Sequence, residues 1–175
     1  MLLKRSKQMS YLLRNVRVKR WSFKSRREYF PADPLADLNT TQNNLSCFYI
    51  DDKKSNLEDI IAGLASNKQR LSHFGYILID LQVIKNNRFK INKTEIGTTP
   101  CLKANARHVN IEELTAKKLI NFAKLAHTSP DINTKTKKQV KQLLLKAAKC
   151  GNLDTSKMWE SLKKELGFAQ NPTSR

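Results

Sequence analysis

Glycine, cysteine, histidine and acid are all scarce in this chain of 175 residues, and each shortage removes a class of function. None of the five glycines stands in the spacing of a phosphate-cradling loop, so no nucleotide-binding loop is expected. His73, His108 and His127 are single and far apart, with no Cys or acid at ligand spacing, which leaves no zinc site; nor is there a nucleophile-elbow motif. Cys47, Cys101 and Cys150 are widely spaced and odd in number, an argument against a disulfide framework and for a reducing compartment. Long apolar runs are missing too. The best is Tyr76-Ile77-Leu78-Ile79, strand length, far short of the roughly 18–20 residues of a membrane span. Leu2-Leu3 is followed at once by Lys4-Arg5, so no secretory leader is expected.

The shortage of acid is uneven along the chain. There are 33 Lys/Arg against 15 Asp/Glu, a formal net charge of +18. Residues 1–30 hold ten bases and one acid, Glu28; residues 31–100 hold eight of each; residues 101–175 hold fifteen bases and six acids. Two cationic segments therefore flank a neutral middle, which points to nucleic acid or another polyanion as partner. Abundant Lys (23) and Asn (15) also fit an AT-rich genome, but that bias would enrich Glu as well, and Glu is scarce. Genome bias explains the choice of Lys over Arg in the C-terminal part and leaves the imbalance of sign unexplained.

Residues 1–30 read as a basic N-terminal arm, flexible or a targeting segment, with 31–44 as linker. The arm holds six of the ten arginines, interleaved with Tyr11, Trp21, Phe23, Tyr29 and Phe30. Leu2, Met9, Leu12, Leu13 and Val16 share one side if the start is helical, and an extended chain is expected after Val16. Three roles compete. Arg14, Arg17, Arg20, Arg26 and Arg27 could grip phosphates while Trp21 and Phe23 stack on bases. The arm also has the Arg-rich, acid-poor character of a mitochondrial presequence, placing the mature protein in the matrix rather than the cytoplasm. Or Trp21 and Phe23 dock onto the domain and the charges stay solvated.

The expected domain is α+β and spans 45–167: a three-stranded sheet with one packed helix, then three C-terminal helices, with 168–175 frayed. Pro34 and Asp33 suggest a helical turn at 34–38, and 40–44 a loop. Leu45–Ile50, apolar on both faces, predicts a central strand. Ser55 with Glu58 predicts a capping box opening a helix to about residue 68. Tyr76 to Val83 reads as a strand turning at Asn86-Asn87 into a hairpin with Phe89 and Ile91, unless 80–85 is a helical turn. Asn110 with Glu113 predicts a helix at 111–126, and 127–134 a loop.

The clearest expected element is a helix at about 135–149. Val140, Leu143, Leu144 and Ala147 form its apolar face. Lys135, Lys138, Lys141, Lys146 and Lys149 gather opposite with no acid among them, a surface suited to backbone phosphates. Leu145 projects among the lysines as a possible protein contact. Gly151 stops this helix in a left-handed conformation, and Gly167 stops a last helix at 156–166. A helix-turn-helix around Gly151 lacks the required apolar positions.

The sequence thus predicts a non-catalytic RNA- or DNA-binding module acting as an accessory subunit, without cofactor or metal. The enzymatic alternative is a metal-dependent nuclease in which Asp51, Asp52, Asp80 and Glu95 at strand ends hold Mg²⁺, assisted by Lys93. The third reading is a structural subunit of a larger assembly such as a ribonucleoprotein.

Overall fold

The computed structural model describes residues 10–22, 30–94, 97–128 and 132–168. The fold is α+β, and its sheet has six strands rather than three: β1 (Tyr11–Val16), β2 (Leu45–Ile50), β3 (Phe74–Asp80), β4 (Lys90–Lys93), β5 (His108–Glu112) and β6 (Ile132–Lys135). All neighbours are antiparallel, in the order β4-β5-β2-β1-β3-β6. Eight α-helices occur among the described residues: α1 (Val18–Trp21), α2 (Ala32–Asp37), α3 (Leu57–Ser66), α4 (Leu81–Asn86), α5 (Leu102–Asn105), α6 (Ala116–Thr128), α7 (Lys137–Lys149) and α8 (Glu160–Leu166).

The largest departure from expectation is at the N-terminal end. Tyr11–Val16 is a strand at the middle of the sheet, paired on one side with β2 and on the other with β3. Leu12 and Val16 point to one face and Leu13 to the other, all buried, which is the demand made of a central strand. The helical and extended expectations are reversed, since the short helix α1 follows the strand. β2 and β3, both antiparallel to β1, are parallel to each other, and α3 joins them across it.

Both faces of the sheet are covered. On one, Leu13, Phe48, Ile50 and Leu78 meet Ile60 and Ile61 of α3, Val140 and Leu144 of α7, and Leu162 of α8. On the other, Leu12, Cys47, Ile77 and Ile111 meet Trp21, Leu38, Ile84 and Phe122. The core is dense where helices touch: a Cβ on Gly63 of α3 would lie 2.6 Å from the Cβ of Ala104 on α5.

Four local expectations also change. Asn86-Asn87 makes no β3–β4 hairpin, because α4 takes residues 81–86 and β4 pairs with β5 at the far edge; the helical-turn alternative is the one realised. Residues 108–112, placed before or within a helix by the Asn110/Glu113 spacing, form β5, and α6 starts only at Ala116. The Ser55/Glu58 box is not made; Ser55 donates instead to Asp51. β6 takes the end of the expected loop together with Lys135, expected as the start of the helix, and α7 begins at Lys137 with a capping box between Thr136 and Gln139. Gly151 (φ +68°) and Gly167 (φ +80°) are the left-handed stops the sequence called for. α8 runs from Glu160 to Leu166, with a 3-10 turn at Thr155–Lys157 before it. Among the described residues no helix is long and apolar enough to cross a membrane.

Candidate nucleic-acid interface

The strand order brings together cations from three distant stretches of sequence. Val16 at the end of β1 pairs with Gly75 at the start of β3, and Gly75 pairs with Thr134 near the end of β6. Residues 17–20, 68–73 and 134–135 therefore meet at one end of the sheet. Gly75 makes this possible, because a Cβ there would stand 2.5 Å from Val18 Cγ2 and 2.6 Å from the Val16 carbonyl oxygen. The result is a cleft of about 820 Å³ whose walls carry Arg17, Lys19, Arg20, Lys68 and His73, with Asn15, Ser72 and Thr134 as neutral polar groups.

One acid faces this set. Asp37, at the end of α2, accepts from the Arg17 backbone N–H (2.5 Å) and from Trp21 Nε1 (3.0 Å). Its other oxygen lies 3.8 Å from Arg17 Nε and 4.0 Å from Arg20 Nη1. Asp37 thus latches α1 onto α2 and offsets part of the charge of two arginines. The Arg17 side chain remains 74% exposed, while that of Arg20 is 32% exposed. Lys68 is more confined. Its Nζ sits 4.9 Å from the centroid of the Phe74 ring, and burial together with the Arg17 charge pulls its pKa below the usual lysine range. A half-buried ammonium in the field of another cation is a position that an incoming anion relieves.

The residues expected from sequence fall into separate groups. Arg17 and Arg20 line the cleft. Trp21 is fully buried and hydrogen-bonded to Asp37, so it cannot stack on a base; it is the residue that docks onto the domain. Arg14 lies within β1, its Nη1 donates to the Ser46 carbonyl (2.7 Å), and its Nε is buried without a hydrogen-bond partner. It is part of the sheet and not of the cleft. Phe23, Arg26 and Arg27 lie outside the described residues.

The lysines expected on one helix face are divided between two elements, Lys135 on β6 and Lys138, Lys141, Lys146 and Lys149 on α7. Lys135, paired with Phe74, is at the cleft end of the sheet. Lys138 and Lys141 follow in the first turns, and Lys146 and Lys149 stand toward the far end of a helix about 20 Å long. There Lys146 Nζ is 2.7 Å from Glu58 at the start of α3, a contact that raises its pKa. Lys137 is 3.3 Å from Glu165. Leu145 is 36% exposed.

The strand-end acids serve turns. Tyr11 pairs with both Ile50 and Asp80, so Asp51 and Asp80 flank β1 at the end of the sheet opposite the cleft, on strands about 10 Å apart. Asp51 accepts from the Ser55 hydroxyl and backbone N–H, which hold its carboxyl below the usual range. Asp80 caps α4 through the Gln82 N–H. Among the described residues no group of three His, Cys, Asp or Glu could hold a metal ion. Asp52 stands beside Asp51 in the turn after β2, and Glu95 lies outside the described residues. The two buried thiols are held in the protonated form, since burial pushes Cys47 up to about 12 and raises Cys101 as well.

Sequence reasoning missed Lys19, Lys68 and His73. Lys68 and Arg70 follow the end of α3, where bases are ordinary complements of a helix dipole, and nothing local marks them as part of a site. Only the insertion of β1 beside β3 gives them their role. No family model, curated protein or solved structure matches the chain.

Proposed function

We propose that the protein is a non-catalytic module that binds RNA or DNA through the phosphate backbone, with the cleft of Arg17, Lys19, Arg20, Lys68 and His73 as its main contact, and that it acts as an accessory subunit. The supporting observation is the convergence of Arg17, Lys19, Arg20 and Lys68 on one cleft, in which Asp37 pairs with the two arginines. Guanidinium forks suit phosphate oxygens, and an anion would offset the burial and like charge at Lys68. Such contacts position a nucleic acid without reading its sequence.

Fluorescence anisotropy with labelled RNA and DNA tests this. Binding is expected at about 50 mM salt and should weaken steeply towards about 200 mM. The R17A/R20A/K68A variant should lose more than tenfold in affinity and flatten the log–log salt slope by about 2. Absence of binding to single- and double-stranded RNA and DNA at the lower salt overturns the proposal.

Exposed Leu102 (73%), Trp159 (52%) and Leu145 favour a second reading, a structural subunit covered by protein neighbours. In that case the W159A/L102A variant should fail to enter the assembly while keeping its nucleic-acid affinity.

A further inference from the structure

One row of the sheet is polar across nearly its whole width. Asn92 pairs with Asn110, Asn110 with Ser46, Asn15 with Tyr76, and Tyr76 with Asn133. Pairing of β1 with β2 ends at Leu13↔Phe48, so Asn15 and Ser46 lie two residues beyond it, on neighbouring strands at the same end of the sheet. Alternation fixes its direction: Cys47, Val109 and Ile111 belong to the core under α6, while Tyr76 belongs to the core under α3 and α7. The row therefore faces the α3/α7 side.

The helices stop short of it. In the next row Phe48, Leu13 and Leu78 are buried, but Ser46 and Asn92 are exposed and Asn15 and Asn110 half-buried. Across β4, β5, β2 and β1 this leaves an open polar strip about 14 Å long. Asn15 also lines the cationic cleft, so strip and cleft are continuous. At the other end Lys90 is shared between Glu113 (2.7 Å) and Glu112 (3.3 Å), one cation against two acids.

The strip's chemistry differs from that of the cleft. Asn side chains present donor and acceptor together, the combination found on base edges, and a Ser hydroxyl serves as either. Internal bonds use only part of this capacity. Asn15 Nδ2 donates to the Gly75 carbonyl, Asn92 Nδ2 to Glu112, and Ser46 Oγ to Asn110 Oδ1 at 3.5 Å. Among the described residues the Oδ1 atoms of Asn15 and Asn92 and the Nδ2 of Asn110 make no further hydrogen bond. A broad sheet face cannot enter the major groove of a duplex, which admits a helix or a two-stranded ribbon.

Building on the proposed function, we infer that the ligand is a single strand whose phosphates lie in the cleft and whose unpaired bases lie on the strip of Asn15, Ser46, Asn110 and Asn92. The phosphate contacts supply affinity and the amides discriminate bases from their absence.

The full chain at about 50 mM salt is titrated with a labelled single strand, an abasic strand of equal length and a blunt duplex. The single strand should bind at least tenfold tighter than the other two. The S46A/N92A/N110A variant, truncated at exposed or half-exposed positions, should bind the single strand only as well as the abasic one, with abasic affinity unchanged. Equal binding of all three probes by the unmodified chain, or a preference that survives in the variant, overturns the inference and leaves phosphate binding standing. Failure of every probe to bind overturns the proposed function itself. The comparison of probes on the unmodified chain decides the matter even if the variant folds poorly.

Discussion

The two cationic segments of the chain have opposite relations to the fold. The C-terminal one is a helix whose apolar face is legible in sequence, and whose lysines stand on a solvated surface, two of them on α7 paired with Glu58 and Glu165. The N-terminal one looks like a detachable arm, yet its residues 11–21 supply the central strand and a buried tryptophan. Its arginines are correspondingly better fixed. Arg17 and Arg20 follow the end of β1, which is paired with β3 through Val16, and meet Lys68 from another loop. A stripe of like charge on one helix is a surface property, whereas cations delivered from separate segments to one cleft require the tertiary fold.

The sharpest way to break this comparison is to remove each segment. Deletion of residues 1–22 takes away the strand that both β2 and β3 pair with, and no cooperative urea transition should remain. Trp21→Ala, which keeps β1, should cost about 3–5 kcal/mol, since a fully buried indole is lost along with its hydrogen bond to Asp37. The K138Q/K141Q/K149Q variant should stay within about 0.5 kcal/mol of the parent. A truncated chain that unfolds at the parent's urea midpoint would show the N-terminal segment to be an arm after all. It would also make cleavage near residues 20–30, as a presequence would require, compatible with the fold.

Asp37 and Glu58 offer a smaller contrast. Asp37→Asn keeps a hydrogen-bond acceptor but removes the charge facing Arg17 and Arg20, so it should lower stability by about 2 kcal/mol. It should tighten nucleic-acid binding at the same time, because the cleft loses its counter-charge. Glu58→Gln frees the exposed Lys146 and should change stability by less than about 0.5 kcal/mol, with no effect on affinity. Denaturation and anisotropy measured on the same samples separate the two cases; equal effects at the two sites would dissolve the distinction between cleft and surface.

What could be read in the sequence was local. Leu45–Ile50 declares a central strand through apolar residues on both faces, and Val140, Leu144 and Ala147 declare α7 through helical spacing. Gly151 and Gly167 mark helix ends because a side chain there would be strained. The failures share one cause, competition between a local signal and pairing with a distant partner. Asn110 and Glu113 have cap spacing, but Asn110 is held between Ser46 and Asn92 in the sheet. Arg14 and Asn15 make β1 look solvated, although both pair with β3 and β2 pairs with the first half of the strand. Lys68 gave no signal at all, since its role depends on a strand fifty residues away in sequence lying beside it.

The smallest expected effect concerns pH, and it contrasts the cleft with the opposite end of the sheet. His108 lies in β5 with its ring edge-on to Phe48 (centroids 5.2 Å apart) and its Nδ1 2.6 Å from Thr94 Oγ1. Burial lowers its pKa below the model-peptide value of 6.5, against a weaker opposing effect of Thr94. The folded state therefore holds this proton less tightly than the unfolded chain does. Unfolding takes up a proton between the folded pKa and 6.5, so stability falls as pH drops through that window and levels off below it. The lowered carboxylates, Asp51, Glu113 and Asp154, lose their contributions only at lower pH, as it falls from 3.8, or 4.5 for Glu113, through their folded values, and so do not overlap. His108→Gln retains a polar group near Thr94 without a titrating ring. Urea midpoints at about pH 7.5 and about pH 5.5 should differ less in that variant than in the parent. A larger difference in the variant would mean that the His108 ring is stabilised by protonation, and that its burial against Phe48 does not govern it.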